Sequence, residues 1–308
     1  MRSRLLPFGA FLVVALCCSQ EAAAQGRGRP KAPKAPKAPK VSTPTSSSAV
    51  TVPPTSSTSA PMRLAGAVSP GTSVRQFGSW LDDASAGTGG EGRTGIGIGY
   101  WRMNSGSQWN VPMLDVGYAF TDRVQASANV PFYHASYEGG TARGVDDMYL
   151  SGKLTLIDPS LTLSEFGLAV SPVVEVLSPG STDGRIHYGV PVSIEVRRQP
   201  FRVFGSGGYF SRGSVFVAGA VEWSAPAGYA VTVSVSRSIS TVADTALDAL
   251  GVNRHRADLT GSVARTLGSL TSAYVSVGRS LTSVAEGGTA FSLAGGLSFR
   301  FTPTKAVH

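Results

Sequence analysis

The stretch T-A-F-S-L-A-G-G-L-S-F-R-F, Thr289 to Phe301, decides how the whole chain is read. From Phe291 every second residue is apolar or glycine: Phe291, Leu293, Gly295, Leu297, Phe299 and Phe301. Between them stand Ser292, Ala294, Gly296, Ser298 and Arg300. A period of two describes a strand with one greasy face and one small, polar face. A soluble sheet produces the same pattern. The reading therefore turns on whether the chain repeats this strand, and on what surrounds it.

What precedes the repeats points to export. Arg2 and Arg4 stand before an apolar run from Leu5 to Cys18, and Ala22-Ala23-Ala24 offers a small-residue cleavage site. Residues 1–24 read as a secretory signal peptide. Both cysteines lie in it, so the mature chain is expected to have neither a disulfide nor a cysteine metal site. Residues 25–62 are low complexity: P-K-A-P-K-A-P-K-A-P-K from Pro30 to Lys40, then a Ser/Thr/Pro run. Such composition cannot bury a core and favours a disordered, partly polyproline II tether. Signal and tether hold eight of the 27 basic residues and only Glu21 of the 19 acids, so residues 61–308 are close to neutral at +1. The basic balance thus belongs to the tether. The tether reads first as a solvated spacer; the sharper alternative is contact with an anionic surface such as peptidoglycan or lipid headgroups. No basic domain face points to nucleic acid. Residues 63–93 show no decisive period, and Gln76 to Leu81 fits a plug, an extra strand or an interfacial segment.

From Thr94 onward twelve segments have the length of a bilayer-spanning strand: 94–103, 111–120, 123–133, 146–157, 165–177, 185–197, 200–210, 214–224, 228–239, 255–266, 270–281 and 289–301. Alternation recurs. In the sixth, Ile186, Tyr188, Val190, Val192, Ile194 and Val196 alternate with His187, Gly189, Pro191, Ser193, Glu195 and Arg197. Pro131 and Pro191 remove ladder donors and read as local bends. Connections alternate between short (121–122, 198–199, 225–227, 267–269) and mostly longer (104–110, 134–145, 178–184, 240–254, 282–288). Asp158 to Ser164 and Ser211 to Gly213 break that rhythm. The fold expected is an all-β, antiparallel, up-and-down transmembrane barrel of about twelve strands over 94–301, with a tail at 302–308. Tether and C-terminus then share the short-turn, periplasmic side. Phe299 and Phe301 are expected to act as the assembly signal read by the barrel-assembly machinery. Outer-membrane lipid surrounds the whole.

Charges fall opposite the apolar face: Asp115, Lys153, Glu175, Glu195, Arg197, Arg202, Glu222, Asp258 and Arg300. A basic side chain facing mid-bilayer lipid is unfavourable by ~2–4 kcal/mol, so these residues are expected to line the lumen. There they either pair and fill the interior or select a solute.

Gly144 to Leu156, G-V-D-D-M-Y-L-S-G-K-L-T-L, resembles the G-x-G-D-x-x-L-x-x-K-Y-x-L stretch of outer-membrane transporters associated with phenol degradation, the MetA-pathway family. Leu114 to Gln125 is similar to that family's strand, Thr-Asp-Arg turn and next strand. Asn129 to Tyr133 resembles its strand ending in Val-Pro-Tyr. The chain departs from the pattern at Val145-Asp146, Leu154 and Ser178-Pro179. The resemblance implies an outer-membrane barrel passing small organic compounds, and it supplies no catalytic residues.

The expected function is a passive channel or transporter for small, organic or aromatic, solutes. Its alternatives are a structural barrel that anchors the envelope or displays loops, and, more remotely, a lipid hydrolase. For the last, a lipid-facing Ser-His pair is required. His134 and His255 fall in or beside loops, His187 points inward and His308 is terminal. No cofactor is expected, and no cluster has metal-ligand spacing. Asp146-Asp147 reads as a solvated strand start. Val242, Leu247 and Leu250 have the spacing of one or two helical turns that could fold over the mouth, and the sequence leaves open whether 242–250 forms such a lid.

Overall fold

The computed structural model describes residues 74–76, 79–103, 106–137, 139–159, 165–177, 186–241, 255–286 and 288–302. A short hairpin comes first, β1 (Val74–Gln76) and β2 (Ser79–Leu81). The barrel strands follow: β3 (Gly92–Met103), β4 (Gly106–Ala119), β5 (Val124–Tyr137), β6 (Gly140–Val145), β7 (Met148–Ile157), β8 (Phe166–Val170), β9 (Val173–Val176), β10 (Ile186–Gly189) and β11 (Val192–Arg198). The last are β12 (Phe201–Phe210), β13 (Ser214–Ala225), β14 (Tyr229–Ser240), β15 (Arg256–Thr266), β16 (Thr271–Ser280) and β17 (Thr289–Phe301).

The fifteen barrel strands form a single antiparallel sheet. Three pairs, β6 with β7, β8 with β9 and β10 with β11, are each one stave interrupted by two residues, which leaves a closed 12-strand barrel. Proline explains two of the interruptions, at Ser171-Pro172 and Val190-Pro191. A proline nitrogen donates nothing to the ladder, but its carbonyl still accepts. Accordingly Gly152 N–H donates to Pro172 O at 2.9 Å and Ser171 N–H to Pro191 O at 2.9 Å, so neighbouring staves stay joined across the break. Pro131 sits within β5, and its carbonyl accepts from Asp146 N–H at 2.9 Å.

Closure is made by β17 against β3, with Phe301 opposite Gly92 and Thr289 opposite Met103. A Cβ on Gly92 would strike the Phe301 ring, so only glycine leaves room for the terminal aromatic there.

The barrel is apolar outside and polar inside, the inverse of a soluble core. Val217 and Ile194 are 57% and 53% exposed, whereas Glu195 and Glu222 are 0% and 1% exposed. With β-strands 10–14 residues long in the continuous staves β3, β4, β5 and β12 to β17, the wall is long enough to cross a bilayer. The inner face of β3 is smooth: Gly95, Gly97 and Gly99 carry the Asp115 carboxylate, the Tyr274 hydroxyl and the Trp101 ring against them. Large inward side chains on neighbouring positions therefore lie flat across this wall and fill the interior.

Two expectations about connections are corrected. The loops placed at 104–110 and 134–145 are largely strand: β4 begins at Gly106 opposite Met103, and β5 continues to Tyr137, paired with β6. Polar pairs such as Ser136 with Thr141 carry the ladder beyond the apolar band, so hydropathy ends before pairing does. The region 242–250, the candidate lid, lies outside the described residues, as do the signal, the tether and the end of the C-terminal tail.

Candidate functional site: a lumen plugged from within

Among the described residues, the segment directly ahead of β3 is a plug. Trp80, Leu81, Asp82, Asp83, Ala84, Ser85 and Ala86 are all buried, yet only Trp80 and Leu81 among them are in a strand. They run inside the barrel. At the short-turn end Gly89 N–H donates to Asp122 Oδ1 at 2.7 Å and Gly90 N–H to Ala119 O at 2.8 Å. At the other end Trp80 packs with Tyr149, Val173, Phe210 and Phe216, with the Trp80 and Tyr149 ring centres 5.7 Å apart. Leu81 packs with Phe204, Ala218 and Ala220. Small residues from Ala84 to Gly90 suit this course, because a narrow lumen admits little more than backbone.

The plug is held mainly by polar contacts. Lys153, from β7, donates to Asp82 Oδ1 at 2.7 Å, Asp83 Oδ1 at 3.0 Å, Asp83 O at 2.9 Å and Ser85 O at 3.2 Å. Thr155, two residues on and on the same inward face, donates to Ala84 O at 2.9 Å. Ser171 Oγ donates to Asp82 Oδ2 at 3.1 Å. Arg202, from β12, lies 3.2 Å from Asp83 Oδ2, and its guanidinium carbon sits 4.4 Å above the Phe204 ring. Glu195 accepts from Ala84 N–H at 3.2 Å and from Ser85 Oγ at 2.8 Å. Gln125 Oε1 accepts from Gly87 N–H at 3.0 Å. Arg197 reaches Ser85 Oγ, and Ser206 Oγ donates to Trp80 O. A buried polar backbone segment needs such partners, and the inward faces of five staves supply them.

The charges expected in the lumen are thus brought together in part. Lys153, Glu195, Arg202 and Glu222 form one network with the plug: Arg202 is 3.6 Å from Glu195 and 3.3 Å from Glu222, whose other oxygen accepts from Thr232 at 3.3 Å. Arg197 joins it, 2.5 Å from Glu195. Three others sit in separate pairs. Asp115 meets Arg93 at 3.4 Å, Glu175 meets Arg212 at 3.3 Å and the Tyr149 hydroxyl at 2.5 Å, and Asp258 meets Arg256 at 3.0 Å and Ser280 at 2.5 Å. Arg300 does not reach the network. Its guanidinium donates to Ser269 O, 2.5 Å away in a turn at the rim, because β17 carries it past the filled section.

The reading of Asp146-Asp147 as a solvated strand start is overturned. Both are buried, and Asp146 Oδ2 accepts from Gln108 and Asn110 side-chain amides at 3.0 Å each. The pair sits at the break between β6 and β7, turned in toward buried amides of β4. His187 faces inward, its Nδ1 3.5 Å from Ser211 Oγ.

Residues that sequence reasoning missed are Asp82, Asp83, Ser85, Ser171, Arg93, Arg212 and Arg256. The available signal was D-D-A-S-A-G-T-G-G: an acid pair leading a run of small residues with no period, directly ahead of the first stave.

No protein-family model matches the chain. No curated protein sequence matches it either. Among solved structures, an outer-membrane channel from Pseudomonas putida F1 superposes with a TM-score of 0.55 at 14% identity, covering 71% of this chain and 98% of that one. The NanC porin gives 0.49 at 10% identity, over 67% and 98%. The KdgM porin gives 0.46 at 10% identity, over 67% and 99%. The likeness to the Pseudomonas channel is one of fold: an outer-membrane β-barrel.

Proposed function

We propose that this protein is a passive outer-membrane channel for small solutes, closed in the described state by its own residues 80–91. One observation carries the reading: the lumen is obstructed by a strip of chain seated mainly on hydrogen bonds and ion pairs, with apolar packing confined to Trp80 and Leu81. Water and solute offer each of those polar groups an alternative partner when the strip moves. The similar Pseudomonas barrel is an outer-membrane channel, which supports the same reading. So does the resemblance of 144–156 and 114–133 to the phenol-degradation transporters, and we propose that the chain is a member of that family.

In this proposal the tether and the C-terminus are periplasmic. The plug passes into β3 at the short-turn end, where Gly89 and Gly90 are held. The basic tether would touch peptidoglycan or anionic headgroups, and Phe299 and Phe301 would be the residues read during assembly.

The test is deletion of residues 80–87 in the full chain, reconstituted in planar bilayers and in liposomes. Single-channel conductance and solute uptake are expected to rise well above those of the intact protein. A folded, heat-modifiable deletion barrel that passes neither ions nor solutes overturns the channel reading. The structural-barrel reading then stands, favoured by the pairing of the mid-lumen charges.

A further inference from the structure

The seat beneath the plug has a chemistry of its own. Two adjacent carboxylates lie in it, and each is held on both sides. Lys153 Nζ bridges them, 2.7 Å from Asp82 Oδ1 and 3.0 Å from Asp83 Oδ1. Ser171 Oγ takes the second oxygen of Asp82 at 3.1 Å, and Arg202 stands 3.2 Å from the second oxygen of Asp83. These donors come from β7, the β8–β9 break and β12, so the wall of three staves carries them to one height of the lumen. Lys153, Ser171 and Arg202 are all buried.

The charge balance points the same way. Elsewhere in the described lumen, Arg93 pairs with Asp115, Arg212 with Glu175 and Arg256 with Asp258. At the seat, Lys153, Arg197 and Arg202 face only Glu195 and Glu222 once Asp82 and Asp83 are set aside. Glu195 and Glu222 are themselves engaged by Arg197 and Arg202, which leaves the Lys153 ammonium as the excess charge. While the lumen is filled, a buried cation without a counter-charge is strongly unfavourable, so whatever fills it at this height has to present anionic oxygens to Lys153.

We propose that the Lys153–Ser171–Arg202 seat is a dicarboxylate-binding site whose resident ligand is the plug's own Asp82-Asp83 pair, and that a short dicarboxylate solute takes the same donors when the plug withdraws. The inference rests on the channel reading only for how the solute arrives. Plug and solute compete, so the seat ties opening to the presence of solute. Two carboxylates a few bonds apart reproduce the four contacts that Asp82 and Asp83 make with Lys153, Ser171 and Arg202.

The test measures binding and conduction separately on the full chain. Asp82→Asn with Asp83→Asn removes the resident charges, and heat-modifiability checks the fold. Radiolabelled succinate is expected to bind this double variant, and to bind the unaltered protein more weakly. Adding Lys153→Gln, which leaves no unpaired plug charge to destabilise the barrel, is expected to weaken binding by about tenfold to a hundredfold, the range for losing a hydrogen-bonded charge. Lys153→Arg restores it, and dimethyl succinate does not compete. A folded double variant that binds no succinate at millimolar concentration, or binds the dimethyl ester equally, overturns the proposal. If that variant still conducts, the channel reading survives without the seat. If it binds succinate and never conducts, the seat survives and the channel reading fails.

Discussion

Replacing Lys153 with methionine tests the plug most directly. The ammonium makes four contacts of 2.7–3.2 Å, all with residues 82, 83 and 85. Methionine keeps much of the stem's volume and removes every donor. Asp82 then retains Ser171, and Asp83 retains Arg202, but the charge that neutralised both is gone. Breaking a buried ion pair by removing one partner costs about 3–5 kcal/mol. Much of that cost falls on the plugged state, because a displaced plug hydrates its aspartates. The plugged-to-open ratio should therefore fall by about two to three orders of magnitude, at ~1.4 kcal/mol per decade. The barrel itself should be spared, since its staves are joined by backbone ladders that Lys153 does not enter with its side chain. The assay is amide hydrogen exchange over residues 80–91 in detergent or bilayer, with bilayer conductance alongside. Protection of those amides should drop by a similar factor while β12 to β17 stay protected. Unchanged protection at 80–91, in a folded barrel, would refute the reasoning that ion pairing holds the plug.

Three further outcomes are expected. Phe301→Ala should lower the yield of folded, heat-modifiable barrel, because the ring that lies over Gly92 at the closing seam is lost; quantitative gel-shift against total protein measures it. Ile194→Arg, on the outward face of β11, should destabilise the barrel by about 2–4 kcal/mol if that position lies near mid-bilayer; equilibrium unfolding in lipid vesicles checks the value against a turn-end control. Gly95→Val places a Cβ on the Asp115 carboxylate and should disrupt its pairing with Arg93, at a cost of about 3–5 kcal/mol in the same unfolding assay.

The barrel was legible because lipid imposes one rule on one face of every stave. Thr289–Phe301 and Ile186–Arg197 alternate cleanly, and the structure turns Ile194 out and Glu195 in as their parity requires. Ends were less legible, because strands β4 to β6 continue past the bilayer on polar pairs that hydropathy does not register. The plug was offered only as one of three readings of its stretch. Its register comes from side chains at 125, 153, 155, 171, 195 and 202, tens to more than a hundred residues away. No local period reports contacts of that range. Asp146 was misread for a related reason: a carboxylate at a strand start is ordinarily solvated, and only the neighbouring stave reveals that Gln108 and Asn110 await it.

Within the plug, residues 84–91 join the Asp82-Asp83 pair to the first stave, and once released these eight residues are a leash that spans at most about 3.3–3.6 Å per residue when fully extended. A plug that lets go therefore never leaves the neighbourhood of its seat. Its effective concentration there is set by leash length and is of millimolar order, as for any short flexible link. Rebinding is unimolecular and independent of how much protein the membrane holds. The open state is accordingly brief unless something else occupies the seat, and a solute that keeps it open must be abundant on the same millimolar scale.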